Sequence, residues 1–185
     1  MSKNISSLAL CGIDEAGRGP LAGSLVVAGV VLLKPIDGLM DSKRLDEKKR
    51  EAIYRQIIHS SKYHIVKFSA KEVDDMGISE CMYQALTSII DKMGEYDYLF
   101  DGNSSFGVIG LRTMIKADTK VPQVSAASIL AKVTHDREIN QIAKDYPQYG
   151  FERHKGYGTK AHIEAIKKYG RCEHHRYSFK IKGID

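Results

Sequence analysis

The chain has no tryptophan, only four prolines and only three cysteines in 185 residues. The thiols, Cys11, Cys81 and Cys172, are odd in number and lack CxxC spacing, which argues against a disulfide framework and a thiolate zinc site. Such sparse thiol use fits a reducing compartment, so a cytoplasmic protein is expected. Long apolar runs are also missing. The longest, LVVAGVVLL at 25–33, falls well short of the roughly 20 residues a membrane span needs. Residues 1–10 lack the apolar stretch of a signal peptide, and Asp14 follows soon after. No repeat, low-complexity tract or linker interrupts the chain, so one domain over 1–185 with its own core is expected, acting as a monomer away from membranes. Acidic residues are outnumbered, 23 against 28 Lys and Arg, giving a formal charge of +5 and a pI near 9.0. That balance suits a polyanionic partner without saying anything of the fold.

What is present is concentrated in CGIDEAGRGPLAG, residues 11–23. An apolar lead-in at 8–13 reads as a strand, which Gly17, Gly19 and Pro20 then stop. Neighbouring side chains on a strand point to opposite faces, so Asp14 and Glu15 converge only where the backbone is already turning. Two adjacent anions need a counter-charge. The simplest is a hard divalent cation, which prefers oxygen ligands. A solvated acidic turn is the plainer alternative, but it leaves the rigid Gly-Arg-Gly-Pro unexplained. A dinucleotide-binding reading of Gly17-x-Gly19 fails, because the third glycine is misplaced and the next element reads as a strand.

Residues 25–33 read as a strand buried on both faces. Asp46 is a good N-cap for a helix to about His59, and residues 65–69 form a third strand. Ser79 can cap a helix carrying Met82, Leu86, Ile89, Ile90 and Met93 at helical spacing, ended by Gly94. Residues 96–100 alternate as a strand that delivers Asp101, and a fifth strand at 111–116 delivers Asp118. A long helix follows Pro122, with Ser125-Ala-Ala-Ser128 small enough for close backbone packing. A last helix covers roughly 160–169. The order predicts a mixed-sheet α/β domain.

Strand ends thus present Asp14, Glu15, Asp101 and Asp118, and open α/β sheets place ligands at the carboxyl ends of strands. Four carboxylates meeting there would hold two Mg²⁺ or Mn²⁺ ions, as in two-metal hydrolytic sites. Bare acids would repel a nucleic-acid backbone. Two divalent ions would move the formal charge to about +9 and make the pocket attractive. Spacing alone leaves the fourth ligand open, since Asp136 also sits suggestively on the helix after Pro122. Its plainer role is an i,i+4 pair with Lys132, worth a few tenths of a kcal/mol. His174 and His175 would diverge on a helix or strand, so zinc is not expected, and they read as structural or phosphate-facing.

The segments GIDEAGRGPLAG (12–23), DSKRL (41–45), the Asp-Gly-Asn of LFDGN (99–103), KADTKVPQVSAASILAKVTHDRE (116–138), YPQYGFERHKGYGT (146–159) and HHRYSF (174–179) together resemble the ribonuclease HII family, the type 2 ribonucleases H of bacteria. They stand in family order and cover nearly the whole chain. The resemblance implies a ribonuclease H-like mixed sheet flanked by helices, with additional C-terminal helices. It implies endonucleolytic cleavage of RNA in RNA–DNA hybrids and incision of duplex DNA at single embedded ribonucleotides, leaving 5′-phosphate and 3′-hydroxyl ends. Such chemistry serves ribonucleotide and RNA-primer removal. By resemblance the metal-binding carboxylates are Asp14, Glu15, Asp101 and Asp118, the last taken in preference to Asp136. Gly17-Arg18-Gly19 would read the 2′-hydroxyl, which separates RNA from DNA. Tyr157 would stack on the neighbouring deoxyribose and select the RNA-to-DNA junction. Lys43, Ser125 and Arg176 are expected phosphate contacts, which position a duplex without reading its sequence.

Ser24 stands where the family often has proline or alanine. The chain stops soon after Phe179, which puts tail-mediated duplex contacts and a clamp-binding peptide in question. The N-terminal domain expected of the sister type, ribonuclease HIII, does not precede the first motif. Two other classes fit the sequence less well. A nuclease of this fold for branched or damaged DNA is disfavoured by Gly-Arg-Gly and Tyr157. A non-catalytic nucleic-acid-binding module is disfavoured by four acids that would cost affinity for phosphate.

Overall fold

The computed structural model describes residues 8–39 and 46–185. Lys43 and the rest of the DSKRL segment lie outside the described residues. Five strands form a mixed sheet in the order β3-β2-β1-β4-β5. Strand β1 (Leu10–Ala16) pairs antiparallel with β2 (Leu25–Leu32), and β2 pairs antiparallel with β3 (Ser61–Phe68). Strands β4 (Asp97–Asp101) and β5 (Arg112–Met114) continue the sheet in parallel with β1. The helices are α1 (Glu47–Ser60), α2 (Ala70–Met76), α3 (Ile78–Met93), α4 (Pro122–Asp145), α5 (Phe151–His154) and α6 (Lys160–Tyr169).

Two-residue alternation along β2 feeds two separate cores. Leu25, Val27 and Val31 join Ile13 and Phe100 beneath Met82, Leu86 and Ile89 of α3. Val26, Ala28 and Val30 meet Ile53 and Ile57 of α1 and Ala126, Ala127 and Leu130 of α4 on the other face. Burying each such large aliphatic side chain contributes about 1.5–3 kcal/mol. Asp46 caps α1 as its sequence predicts, its carboxylate accepting from the Lys49 amide at 2.8 Å. Helix α4 crosses β1 closely because residue 12 is glycine. A Cβ there would stand 2.3 Å from the Val124 nitrogen. This crossing brings the Ser128 turn of α4 against the second half of β1. A third cluster, Ala22 with Ile139, Ile142, Tyr149, Phe151, Ile166 and Ile181, fastens the C-terminal part to the far end of α4.

The structure differs from the expected elements in three places. Strand β1 does not stop at Ile13 but carries Asp14 and Glu15 in register with Ala28 and Val27. The fifth strand is only three residues long, because Lys116 takes the left-handed conformation (φ 58°) and turns the chain. Ser69 and Glu72 form a capping box that starts α2, a helix not expected, and Gly77 rather than Ser79 precedes α3.

Candidate active site

Asp14, Asp101 and Asp118 each offer a carboxylate oxygen within 4.8 Å of the other two. Asp14 comes from the middle of β1 and Asp101 from the last position of β4. Asp118 comes from the 3₁₀ turn at Ala117–Thr119, and its amide donates to Asp101 Oδ2 at 3.2 Å. Asp136 is elsewhere. Its Oδ1 accepts from Lys132 at 2.8 Å and faces His135 Nδ1 at 3.2 Å. Burial pushes the Asp136 carboxyl up, but the bonds from His135 and Lys132 outweigh it and hold the acid below its ordinary range. Asp118 thus stands in the cluster, whereas Asp136 is a neutralised ion pair on α4.

Glu15 lies beside the three aspartates, separated from Asp14 by the strand alternation. Its amide donates to Asp14 Oδ1 at 2.8 Å, and its Oε1 accepts from Arg18 at 3.2 Å. Its Oε2 is buried and has no hydrogen-bond partner among the described residues. Burial, then the charge of Glu15, raises the Asp14 carboxyl well above the ordinary range, against the Ser128 hydroxyl and the Glu15 amide, which lower it. Burial also raises Glu15, against the opposing pull of Arg18, and it raises Asp101. Desolvated acids crowded together resist ionisation until a cation arrives. Oxygen-only donors, a buried carboxylate oxygen with no partner among the described residues and raised carboxyl pKa values fit hard divalent ions.

The Gly-Arg-Gly loop abuts this cluster. Gly17 takes φ 78°, and a Cβ there would meet the Ser24 carbonyl at 2.2 Å, so no other residue fits. Arg18 reaches back to Glu15 and lies over the Phe106 ring, 5.8 Å from its centroid. Tyr157 is 47% exposed, and its Cε1 is 3.7 Å from where a side chain on Gly19 would begin. The ring therefore packs beside the loop at Gly19, at the opening of a cleft. The cleft, of ≈ 290 Å³, is lined by Glu15, Arg50, Ser128, Lys132 and Tyr157.

Two expected phosphate contacts are placed differently. Arg176 is fully buried, and its guanidinium donates to the carbonyls of Gly17 (2.6 Å), Gly23 (2.8 Å) and Arg18 (3.2 Å). It holds the loop from behind and does not face a ligand. Ser125 is also fully buried, with its hydroxyl donating to the Leu39 carbonyl at 2.6 Å. In both cases a polar residue near a motif serves the backbone that carries the motif. Sequence reading missed Ser128 beside Asp14, Phe106 beneath Arg18, and Lys132 in the cleft. Ser128 was legible in part, because it lies one turn after Val124 on a helix that must cross β1.

A family model described as Ribonuclease HII matches residues 11–182. The chain is 68% identical over 176 residues to the ribonuclease HII of Sulfurovum sp. (strain NBC37-1), spanning 95% of this chain and 94% of that one. It is 58% identical over 177 residues to the ribonuclease HII of Aliarcobacter butzleri (strain RM4018), spanning 95% and 92%. Among solved structures, the PCNA:RNase HII complex from Archaeoglobus fulgidus superposes with a TM-score of 0.80 at 29% identity, over 95% of this chain and 96% of that chain. The ribonuclease H2 of Pyrococcus horikoshii OT3 gives 0.75 at 30% identity, over 94% of each.

Proposed function

The chain belongs to the ribonuclease HII family, endonucleases that hydrolyse the RNA of RNA–DNA hybrids, and on that premise we propose how its own residues carry out the reaction. Asp14, Glu15, Asp101 and Asp118 would hold two divalent ions, Mg²⁺ or Mn²⁺. Bound there, such ions would activate a water and stabilise the departing oxygen of a phosphodiester. The observation that carries this reading is the meeting of three aspartates from β1, β4 and the turn after β5 within 4.8 Å. The Glu15 amide and the Ser128 hydroxyl fix Asp14, and the Asp118 amide fixes Asp101, so the oxygens are set before substrate arrives.

Gly17 and Gly19 let the backbone approach a ribose, and Arg18 is free on its outer side to meet a phosphate. The Tyr157 ring stacks on the deoxyribose that follows, so the opening admits an RNA-to-DNA junction and incises at a single embedded ribonucleotide. Products are a 5′-phosphate and a 3′-hydroxyl. Sugar and phosphate contacts dominate, which makes cleavage nearly independent of base identity. Residues 1–185 act as one catalytic domain and as a monomer, in the cytoplasm, where three free cysteines are at home. No helix among the described residues is long and apolar enough to cross a membrane.

The test uses duplex DNA with one ribonucleotide, end-labelled, incubated with Mg²⁺ or Mn²⁺ and then with EDTA. A single cut on the 5′ side of the ribonucleotide–deoxyribonucleotide junction, abolished by chelation, is expected. Equal cutting of all-DNA duplex would overturn the assignment.

A further inference from the structure

Two buried histidines outside the acidic cluster make a hydrogen-bonded chain whose proton positions are fixed from both ends. His162, near the start of α6, places Nδ1 2.9 Å from the Tyr157 carbonyl. A carbonyl only accepts, so Nδ1 carries the proton and Nε2 of a neutral ring must accept. At the other end, the Cys172 amide donates to His175 Nδ1 at 2.9 Å, which leaves His175 Nε2 as the donor. The two Nε2 atoms are 3.0 Å apart. Each end independently demands the same direction, Cys172 N–H to His175 to His162 to the Tyr157 carbonyl. Both rings are essentially without solvent exposure. Burial holds both near pKa 4, helped by their own proximity and by His154, Arg171 and His174, so both rings stay neutral at neutral pH.

The segment at the far end of this chain also grips the sugar-reading loop. His175 bridges Ala22, the Gly23 amide donates to the His174 carbonyl at 2.9 Å, and the Arg176 amide donates to the Leu21 carbonyl at 2.8 Å. Arg176 then fixes Gly17, Arg18 and Gly23 through its side chain. Residues 172–176 are thus bonded directly to the loop and, only through His162, to the backbone of Tyr157.

We infer that His162, held in one tautomer by His175, is a positioning residue for Tyr157, donating to its carbonyl and so fixing the backbone that carries the ring beside Gly17-Arg18-Gly19, where a ribonucleotide junction is recognised. This rests on the junction role given to Tyr157 above. Neither histidine touches substrate. Their effect falls on the choice between substrates, since a displaced ring loses its stacking geometry while the acidic cluster is untouched.

Amide substitutions separate positioning from bulk. In His162→Asn the amide nitrogen replaces Nδ1 and keeps the bond to the Tyr157 carbonyl. In His162→Gln it replaces Nε2 and loses that bond. Both delete the ring, so both lower the melting temperature similarly. The readout is kcat/KM on a single-ribonucleotide duplex divided by kcat/KM on a uniform hybrid. Tyr157→Ala lowers this ratio by about tenfold or more, His162→Gln lowers it by about fivefold, and His162→Asn keeps it within about twofold of the parent. If Tyr157→Ala collapses the ratio while the two His162 variants behave alike, the positioning role is overturned and the tyrosine reading stands. If Tyr157→Ala leaves the ratio unmoved, the tyrosine reading itself fails. Should either His162 variant not fold, ¹⁵N NMR of the parent protein decides. A proton on His162 Nδ1 and on His175 Nε2 supports the device, and the opposite tautomers or a charged ring at neutral pH overturn it.

Discussion

At the carboxyl ends of β1 and β4 the chain gathers carboxylates that raise one another's pKa, whereas residues 172–176 gather donors and acceptors that satisfy one another. Both regions are buried and polar, and both are bonded to the Gly17-Arg18-Gly19 loop. Among the described residues the acidic corner leaves Glu15 Oε2 without a partner, and it keeps Asp14, Glu15 and Asp101 reluctant to ionise. The C-terminal segment, together with His162 of α6, spends three guanidinium nitrogens, two imidazoles and three backbone amides on named acceptors. The first region is strained until a ligand completes it; the second is complete in the free protein and gives the first a fixed neighbour. On the function proposed, catalysis therefore belongs to the destabilised side and substrate choice to the stabilised one.

The largest effect that would break this contrast comes from Asp101→Asn. The amide oxygen can still accept from the Asp118 N–H, so the turn is kept, but a ligand charge is lost. Cleavage should fall by about 10³-fold or more. Without metal, the same variant should melt a few degrees higher. The sign follows from linkage. A carboxyl whose folded pKa is raised above 3.8 binds more protons folded than unfolded, so stability falls as pH rises through that window, and at pH 7 the ionised group opposes folding. Added Mg²⁺ should stabilise the parent more than the variant. A lower melting temperature for metal-free Asp101→Asn would mean that the corner is not strained.

Arg176→Met tests the other side. Methionine fills similar space but leaves the carbonyls of Gly17, Arg18 and Gly23 buried without their donor. The loss should be about 3–5 kcal/mol in urea unfolding. Arg176→Lys should recover little, because one ammonium cannot serve acceptors held by a planar fork. Burial lowers the Arg176 pKa to about 10, so it remains charged throughout any practical assay. A cost below about 1 kcal/mol would show that the loop keeps its shape without the guanidinium.

The same contrast governs how much was legible in the sequence. The acids announced themselves because carboxylates beside Gly, Asn and Pro at strand ends have few structural uses, and the resemblance chose Asp118 over Asp136. The sheet and its long helices followed from valine-rich runs and capping residues. Arg176 and Ser125 were misplaced because one-dimensional reading cannot tell a buried donor to the backbone from an exposed donor to phosphate. Nothing local distinguishes them, since the Gly17 and Leu39 carbonyls they serve are distant in the chain. Helix α2 was missed although Ser69-x-x-Glu72 spelled its capping box, because seven residues carry too little periodicity. The histidine pair was invisible for the same reason as Arg176, its partners being 13 residues apart and joined only by folding.

The smallest of these effects separates the two regions by pH, because they titrate with opposite sign. His162 and His175 are lowered from 6.5 to about 4, so between those values the unfolded chain binds more protons. Their contribution is complete above about pH 7 and is lost as pH falls toward 4, at no more than about 1.4 kcal/mol per unit for each ring. The raised carboxyls of the acidic corner move the other way, gaining stability as they take up protons. The net slope for the metal-free parent is therefore shallow, and subtraction isolates the histidines. Replacing one ring in His162→Asn should make the variant less pH-sensitive than the parent by about 1–2 kcal/mol between pH 7 and 5, read from urea midpoints with EDTA present. Parallel curves for parent and variant would place the protons elsewhere, since a ring that titrates normally in the fold adds no slope and a ring absent from the variant cannot.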